Sequence, residues 1–224
     1  MAAATVSSSI DFDVAAGKTV TNNASISGTG RISKYGQGIM ILTGVNTHSG
    51  YLDVSGGTLS IANGSSLGTG NVLMYGSGAL LVTANTTITN VITLYGTNTI
   101  NTGANNVTFS GGISGVGGLT KDGAGTLTLP SSARDLVTRN GINIKAGTLA
   151  VNVNAIIDVA LTIDAGAALR VANSTWRQNG TLTNNGTITI NTGVTWRQDG
   201  EVTKAGTFIN NGGTITGTNG HLIY

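Results

Sequence analysis

Two stretches of the chain read almost alike. Residues 26–42 are ISGTGRISKYGQGIMIL and residues 113–129 are ISGVGGLTKDGAGTLTL. Aligned without a gap, Gly28 meets Gly115, Lys34 meets Lys121, Gly36 meets Gly123, Gly38 meets Gly125 and Leu42 meets Leu129. Downstream, Gly57-Thr58-Leu59 returns as Gly147-Thr148-Leu149. A second echo sits near the end, where Thr175-Trp176-Arg177-Gln178-Asn179-Gly180 recurs as Thr195-Trp196-Arg197-Gln198-Asp199-Gly200. Self-similarity on this scale constrains a chain more than any single residue. A short unit cannot bury its own apolar face, so such units stack and bury it against each other, which makes a solenoid.

Each unit reads as strand, turn, strand. Apolar and polar residues alternate in Thr126-Leu127-Thr128-Leu129, Thr187-Ile188-Thr189-Ile190 and Thr214-Ile215-Thr216, in short runs rich in β-branched residues and bounded by Gly or Asn. Asn-Gly pairs at 63–64, 140–141, 179–180, 185–186, 211–212 and 219–220 would also suit antiparallel hairpins. The short interval between Trp176 and Trp196 favours a parallel coil, since two or three short strands with their turns fill about that length. The expected fold is all-β, a single-domain parallel β-helix (β-solenoid) over residues 1–224. About eleven coils of roughly 20 residues, stacked about 4.8 Å apart, make a rod roughly 50 Å long. Residues 130–140, which hold the sole proline, Pro130, are expected to protrude as a loop.

The composition fits such a stack. Charged residues make up 9% of the chain, against about 25% in an average globular domain, and polarity rests on Thr, Asn and Ser. These tolerate lying over copies of themselves, whereas stacked like charges repel. The net charge of +2 and the lack of any Lys/Arg run argue against nucleic acid. The absence of cysteine excludes a disulfide framework and thiolate metal sites. No apolar run approaches the roughly 20 residues of a membrane helix. The first residues lack a signal peptide's basic and apolar regions, so export is expected to use a leader already removed or a longer parent chain.

The phrase Gly117-Gly118-Leu119-Thr120-Lys121, followed by Gly123, Gly125-Thr126-Leu127 and a later Gly-Thr-Leu, resembles the passenger-associated repeat of bacterial autotransporters. Residues 26–61 resemble it more loosely, with Arg31-Ile32-Ser33-Lys34 at the core and Asn46-Thr47-His48-Ser49-Gly50 where the family has an NTY-G step. The resemblance implies a right-handed parallel β-helix, extracellular or on a bacterial cell surface, and names no activity. An autotransporter also carries a membrane barrel, and these residues are not expected to supply one: His221-Leu222-Ile223-Tyr224 follow a Thr/Gly/Asn-rich coil rather than lipid-facing alternation.

Chemistry is sparse. Asp11 and Asp13, or Asp199 and Glu201, would lie about 7 Å apart along one strand face. A carbohydrate-active β-helix would need such acids to converge in one groove, and neither pair has a His or a third acid nearby in sequence. His48 reads as a surface turn residue, and no triad or phosphate loop can be assembled. No cofactor and no metal is expected. The candidate interface residues are Trp176, Arg177, Trp196 and Arg197, as either an exposed aromatic–arginine strip or an internal stack. Ile10 and Phe12 at one end and Leu222, Ile223 and Tyr224 at the other complete the set. Thr-x-Thr pairs at Thr181/Thr183, Thr187/Thr189 and Thr214/Thr216 are out of step with the coil length, which argues against an ice-binding array. The expected function is therefore a non-catalytic structural or adhesive solenoid whose partners are glycans or cell-surface and matrix proteins. The alternatives are a fibre subunit that stacks head to tail on copies of itself and a β-helix enzyme.

Overall fold

The computed structural model describes residues 4–133 and 136–217. It is a parallel β-solenoid of about eleven turns, and every strand pair is parallel. Each turn visits three faces in the same order. Face I begins with the strands Ile10–Asp13, Ile32–Tyr35, Leu52–Val54, Val72–Met74, Ile92–Leu94 and Ile113–Gly115. A second sheet, from Leu136–Thr138 to Thr214–Gly217, takes over the same place in the chain order, and Leu136–Thr138 packs beside Ile113–Gly115. Face II is one ten-stranded sheet from Thr19–Asn22 to Val202–Lys204. Face III holds Ala4–Val6 and Ile26–Gly28 and, after an interruption, the seven strands from Thr86–Ile88 to Thr207–Asn211.

The register of face II gives the length of each coil. Thr19, Ile39, Thr58, Ala79, Thr99, Thr120, Asn143, Thr162, Thr183 and Thr203 form one outward column, in unequal steps. The shortest steps run from Ile39 to Thr58 and from Asn143 to Thr162. Period-two alternation sends the intervening residues inward, so Leu59, Leu80, Ile100, Ile144, Ile163 and their neighbours fill the interior. The longest step, from Thr120 to Asn143, contains the expected 130–140 loop. That loop is shorter than the sequence implied. After a turn closed by the Ala133 amide on the Pro130 carbonyl, Leu136–Thr138 is a strand paired with Ala155–Ile157, with Leu136 and Thr138 buried.

Face III is irregular where residues 43–51 and 62–71 pass, and side chains there supplement scattered backbone bonds between coils. Asn46 accepts from the Ile26 amide at 2.8 Å and donates to the Ser66 carbonyl at 2.6 Å, joining three successive coils. A short 3₁₀ turn, Gly64–Leu67, is capped by the side chain of Asn63 on the Ser65 amide.

Candidate functional site

The repeat is a corner. In the first copy Lys34 lies on the face I strand Ile32–Tyr35, residues 36–38 turn, and Ile39–Leu42 runs on along face II. In the second copy Lys121 lies on face II and the chain turns onto face III at Thr126–Leu129. Both lysines point inward and are wholly buried. An ammonium has three N–H donors and each lysine uses all three on backbone carbonyls. Lys34 Nζ donates to Tyr35 at 3.0 Å, Gly36 at 2.8 Å and Gly56 at 2.8 Å. Lys121 Nζ donates to Asp122 at 2.9 Å, Gly123 at 2.8 Å and Ala146 at 3.0 Å. Two of the three oxygens belong to the lysine's own turn and the third to the next coil.

That third contact explains the distant Gly-Thr-Leu. Gly56 and Ala146 immediately precede Gly57-Thr58-Leu59 and Gly147-Thr148-Leu149. Gly57 (φ +57°) and Gly147 (φ +65°) lie directly over the turn below, where a Cβ would come within 2.3 Å of the Gly38 or Gly125 carbonyl oxygen. Only glycine fits a left-handed position pressed onto another backbone. Burial pushes the Lys121 ammonium down to about 8, with Asp122 acting the other way, so it stays charged at neutral pH. Lys34 is lowered for the same first reason, with Asp13 opposing. Where no lysine is present, an amide serves. Gln178 donates to the Val159 and Gly180 carbonyls, Gln198 to Gly200, and Asn98 to Tyr75 and Gly78.

The tryptophans pack inside. Trp176 and Trp196 are in register, 0% exposed, and stacked with centroids 5.2 Å apart and planes 5° from parallel. Phe208 meets Trp196 edge-on at 6.0 Å. An exposed aromatic strip is therefore ruled out at these positions, because alternation turns the indoles inward and leaves Arg177 and Arg197 outside. Arg177 lies over Arg197, and the guanidinium of Arg197 donates to Asp199 at 2.6 Å. Ile10 and Phe12 are half-buried on the first face I strand, in the inward columns of Ile32 and Lys34. Leu222, Ile223 and Tyr224 lie outside the described residues.

Asp11 and Asp13 are exposed on the outer side of face I, and Glu201 is exposed. The Thr-x-Thr pairs fall on three different faces, Thr181/Thr183 on face II, Thr187/Thr189 on face III and Thr214/Thr216 on face I. His48 departs from its expected place at the surface: its ring is 0% exposed, because the irregular face III segment folds over the interior. The ring lies against Gly68, and neither nitrogen has a hydrogen-bond partner.

Sequence reasoning passed over the tyrosines. Tyr35, Tyr51, Tyr75 and Tyr95 all lie on the outer side of face I, and Tyr75 stacks on Tyr95 with centroids 4.9 Å apart and planes 9° from parallel. A signal was present: Tyr-Gly occurs at 35–36, 75–76 and 95–96, the first interval being twice the second.

Fold and corners together define a parallel β-solenoid closed by buried-lysine turns. The family model described as passenger-associated-transport-repeat matches residues 32–61 and 119–151. Each matched stretch runs from a buried lysine to the Gly-Thr-Leu strand on the coil above. No curated protein and no solved structure gives a match.

Proposed function

We propose that this chain is a non-catalytic, extracellular structural and adhesive solenoid of a bacterial surface. The observation that carries this reading is the pair of matched passenger repeats, each seen to be a corner module of one continuous parallel stack. The surface supports it. The outward column of face II holds Thr99, Thr120, Asn143, Thr162, Thr183 and Thr203 on successive coils, a row of uncharged groups suited to many weak contacts. Glycans and matrix proteins are the partners that suit it.

The test is attachment. Beads coated with the purified protein are passed over mucin-coated and collagen-coated surfaces under flow, beside albumin-coated beads. Retention well above the albumin control is expected on at least one surface, and retention equal to it refutes the adhesive role. Negative-stain electron microscopy of the same preparation should show discrete rods roughly 50 Å long. Unbranched filaments would instead favour the self-assembling fibre.

A further inference from the structure

The outer side of face I holds a feature that the corner repeats do not require. Four of the chain's five tyrosines stand there. Tyr35, Ser55, Tyr75 and Tyr95 form one column. They directly follow Lys34, Val54, Met74 and Leu94, which pair in register from coil to coil. Tyr95 is 48% exposed and Tyr35 37%. The column lacks a ring at one level, that of Ser55. One face of the Tyr75 ring is covered by Tyr95, and its other side looks across Ser55 toward Tyr35. At about 4.8 Å per coil, Tyr35 and Tyr75 frame a slot about 9.6 Å high. That leaves room for one more ring at the 4.9 Å spacing Tyr75 and Tyr95 keep.

Polar groups lie along the same face. Tyr51, 53% exposed, directly precedes the strand Leu52–Val54, and Ser55 directly follows it. Arg31 stands one coil away, in the same column as Tyr51, and its guanidinium is paired with the buried carboxylate of Asp53. The side chain of Gln37 lies against Gly56. The charge of this surface disfavours an anion. Asp53 neutralises Arg31, and Asp11 and Asp13 are exposed at the beginning of the same face.

We propose that this surface binds an uncharged polysaccharide, with one pyranose ring held in the Ser55 slot between Tyr35 and Tyr75. Tyrosine offers a flat apolar face for the C–H side of a sugar and a hydroxyl for its rim. Ser55, Gln37 and the remaining N–H groups of Arg31 supply donors and acceptors for sugar hydroxyls. The site rests on the extracellular reading above and gives it a partner.

Affinity electrophoresis tests it, with hydroxyethylcellulose, galactomannan, mixed-linkage β-glucan or polygalacturonate cast in native gels. Retardation is expected in at least one of the three neutral gels, and none in polygalacturonate. Tyr35→Ala and the double variant Tyr75→Ala/Tyr95→Ala should weaken it at least tenfold. Ser55→Tyr, which fills the slot without removing a ring, should abolish it. Arg170→Ala, on face III, should leave it unchanged. Circular dichroism melts that overlay the parent's show that the variants fold.

Absence of retardation in all three neutral gels overturns the proposal. So does retardation in polygalacturonate alone, or retardation that Ser55→Tyr leaves intact. A dimer in analytical ultracentrifugation that Ser55→Tyr dissolves would make the face a contact between copies and overturn it equally. Attachment and retardation fail separately. Beads that do not attach while the gels still retard sink the adhesive role alone, and the reverse sinks the sugar slot alone.

Discussion

Replacing Lys34 by Met tests whether the buried ammonium holds two coils together. Methionine fills much of the same stem volume, so little cavity forms and the main loss is of three hydrogen bonds. A buried carbonyl left without a donor costs about 1–3 kcal/mol. The Gly56 oxygen bears this in full, since its bond to Lys34 is buried. The Tyr35 oxygen keeps the Val14 amide as a donor, and the Gly36 oxygen, in a part-buried bond, recovers part of its loss from water. Releasing the ammonium from its buried site offsets part of the total, leaving a net cost of about 2–4 kcal/mol. A solenoid does not unfold as one unit, so the loss should be local. Hydrogen exchange reads it at the Ser55 amide, which donates to the Lys34 carbonyl, and at the Thr58 amide, which donates to Gly38. Both should exchange roughly 30- to 1,000-fold faster, the same free energy expressed as a ratio. Lys121→Met should act alike four coils away, and the two should add, since sites so far apart do not couple. Lys145→Met, on an exposed residue, should stay within about 0.5 kcal/mol of the parent. Exchange at Ser55 and Thr58 unchanged in Lys34→Met would refute the stapling argument.

Three further perturbations probe the interior. Trp196→Ala removes a ring stacked on Trp176 and met edge-on by Phe208, and should cost about 3–5 kcal/mol in the final coils by denaturant titration; a loss under about 1 kcal/mol would mean the stack is loosely held. Gly57→Ala and Gly147→Ala put a Cβ on a left-handed residue against the turn below, and each should lower stability by about 2 kcal/mol or more, with the Leu59 or Leu149 amide exchanging faster. His48 has its pKa lowered by burial. The unfolded chain therefore takes up a proton near the free value of about 6.5, before the folded chain does. Stability should be complete above that pH and fall as the pH drops below it. His48→Met should flatten the change in urea midpoint between about pH 7.5 and about pH 5, and equal slopes in parent and variant would show that His48 does not carry it.

What was legible in the sequence follows from how each signal is encoded. Alternation is a local property of the backbone, so the strands and the inward set were readable, and the echo of Thr-Trp-Arg-Gln placed Trp176 over Trp196. Which side of the strand the indoles took was not readable. Gln178 and Gln198 share the inward side with them, and an inward glutamine looks polar until its corner carbonyls are known. His48 was misread because its segment lacks strand alternation and is buried through Asn46, whose partners lie on the coils to either side. The interval between the two lysines likewise does not correspond to a whole number of coils. Lys34 on face I and Lys121 on face II stand four coils and one face apart. Because coils differ in length, sequence distance cannot tell a repeated face from a repeated corner. The three carbonyls around each ammonium decide it. Two come from the turn and one from the coil above, so the unit is complete wherever the chain bends, on any face. The repeat therefore encodes how to turn, and the outer columns remain free to differ from face to face, as the tyrosines of face I and the threonines of face II do.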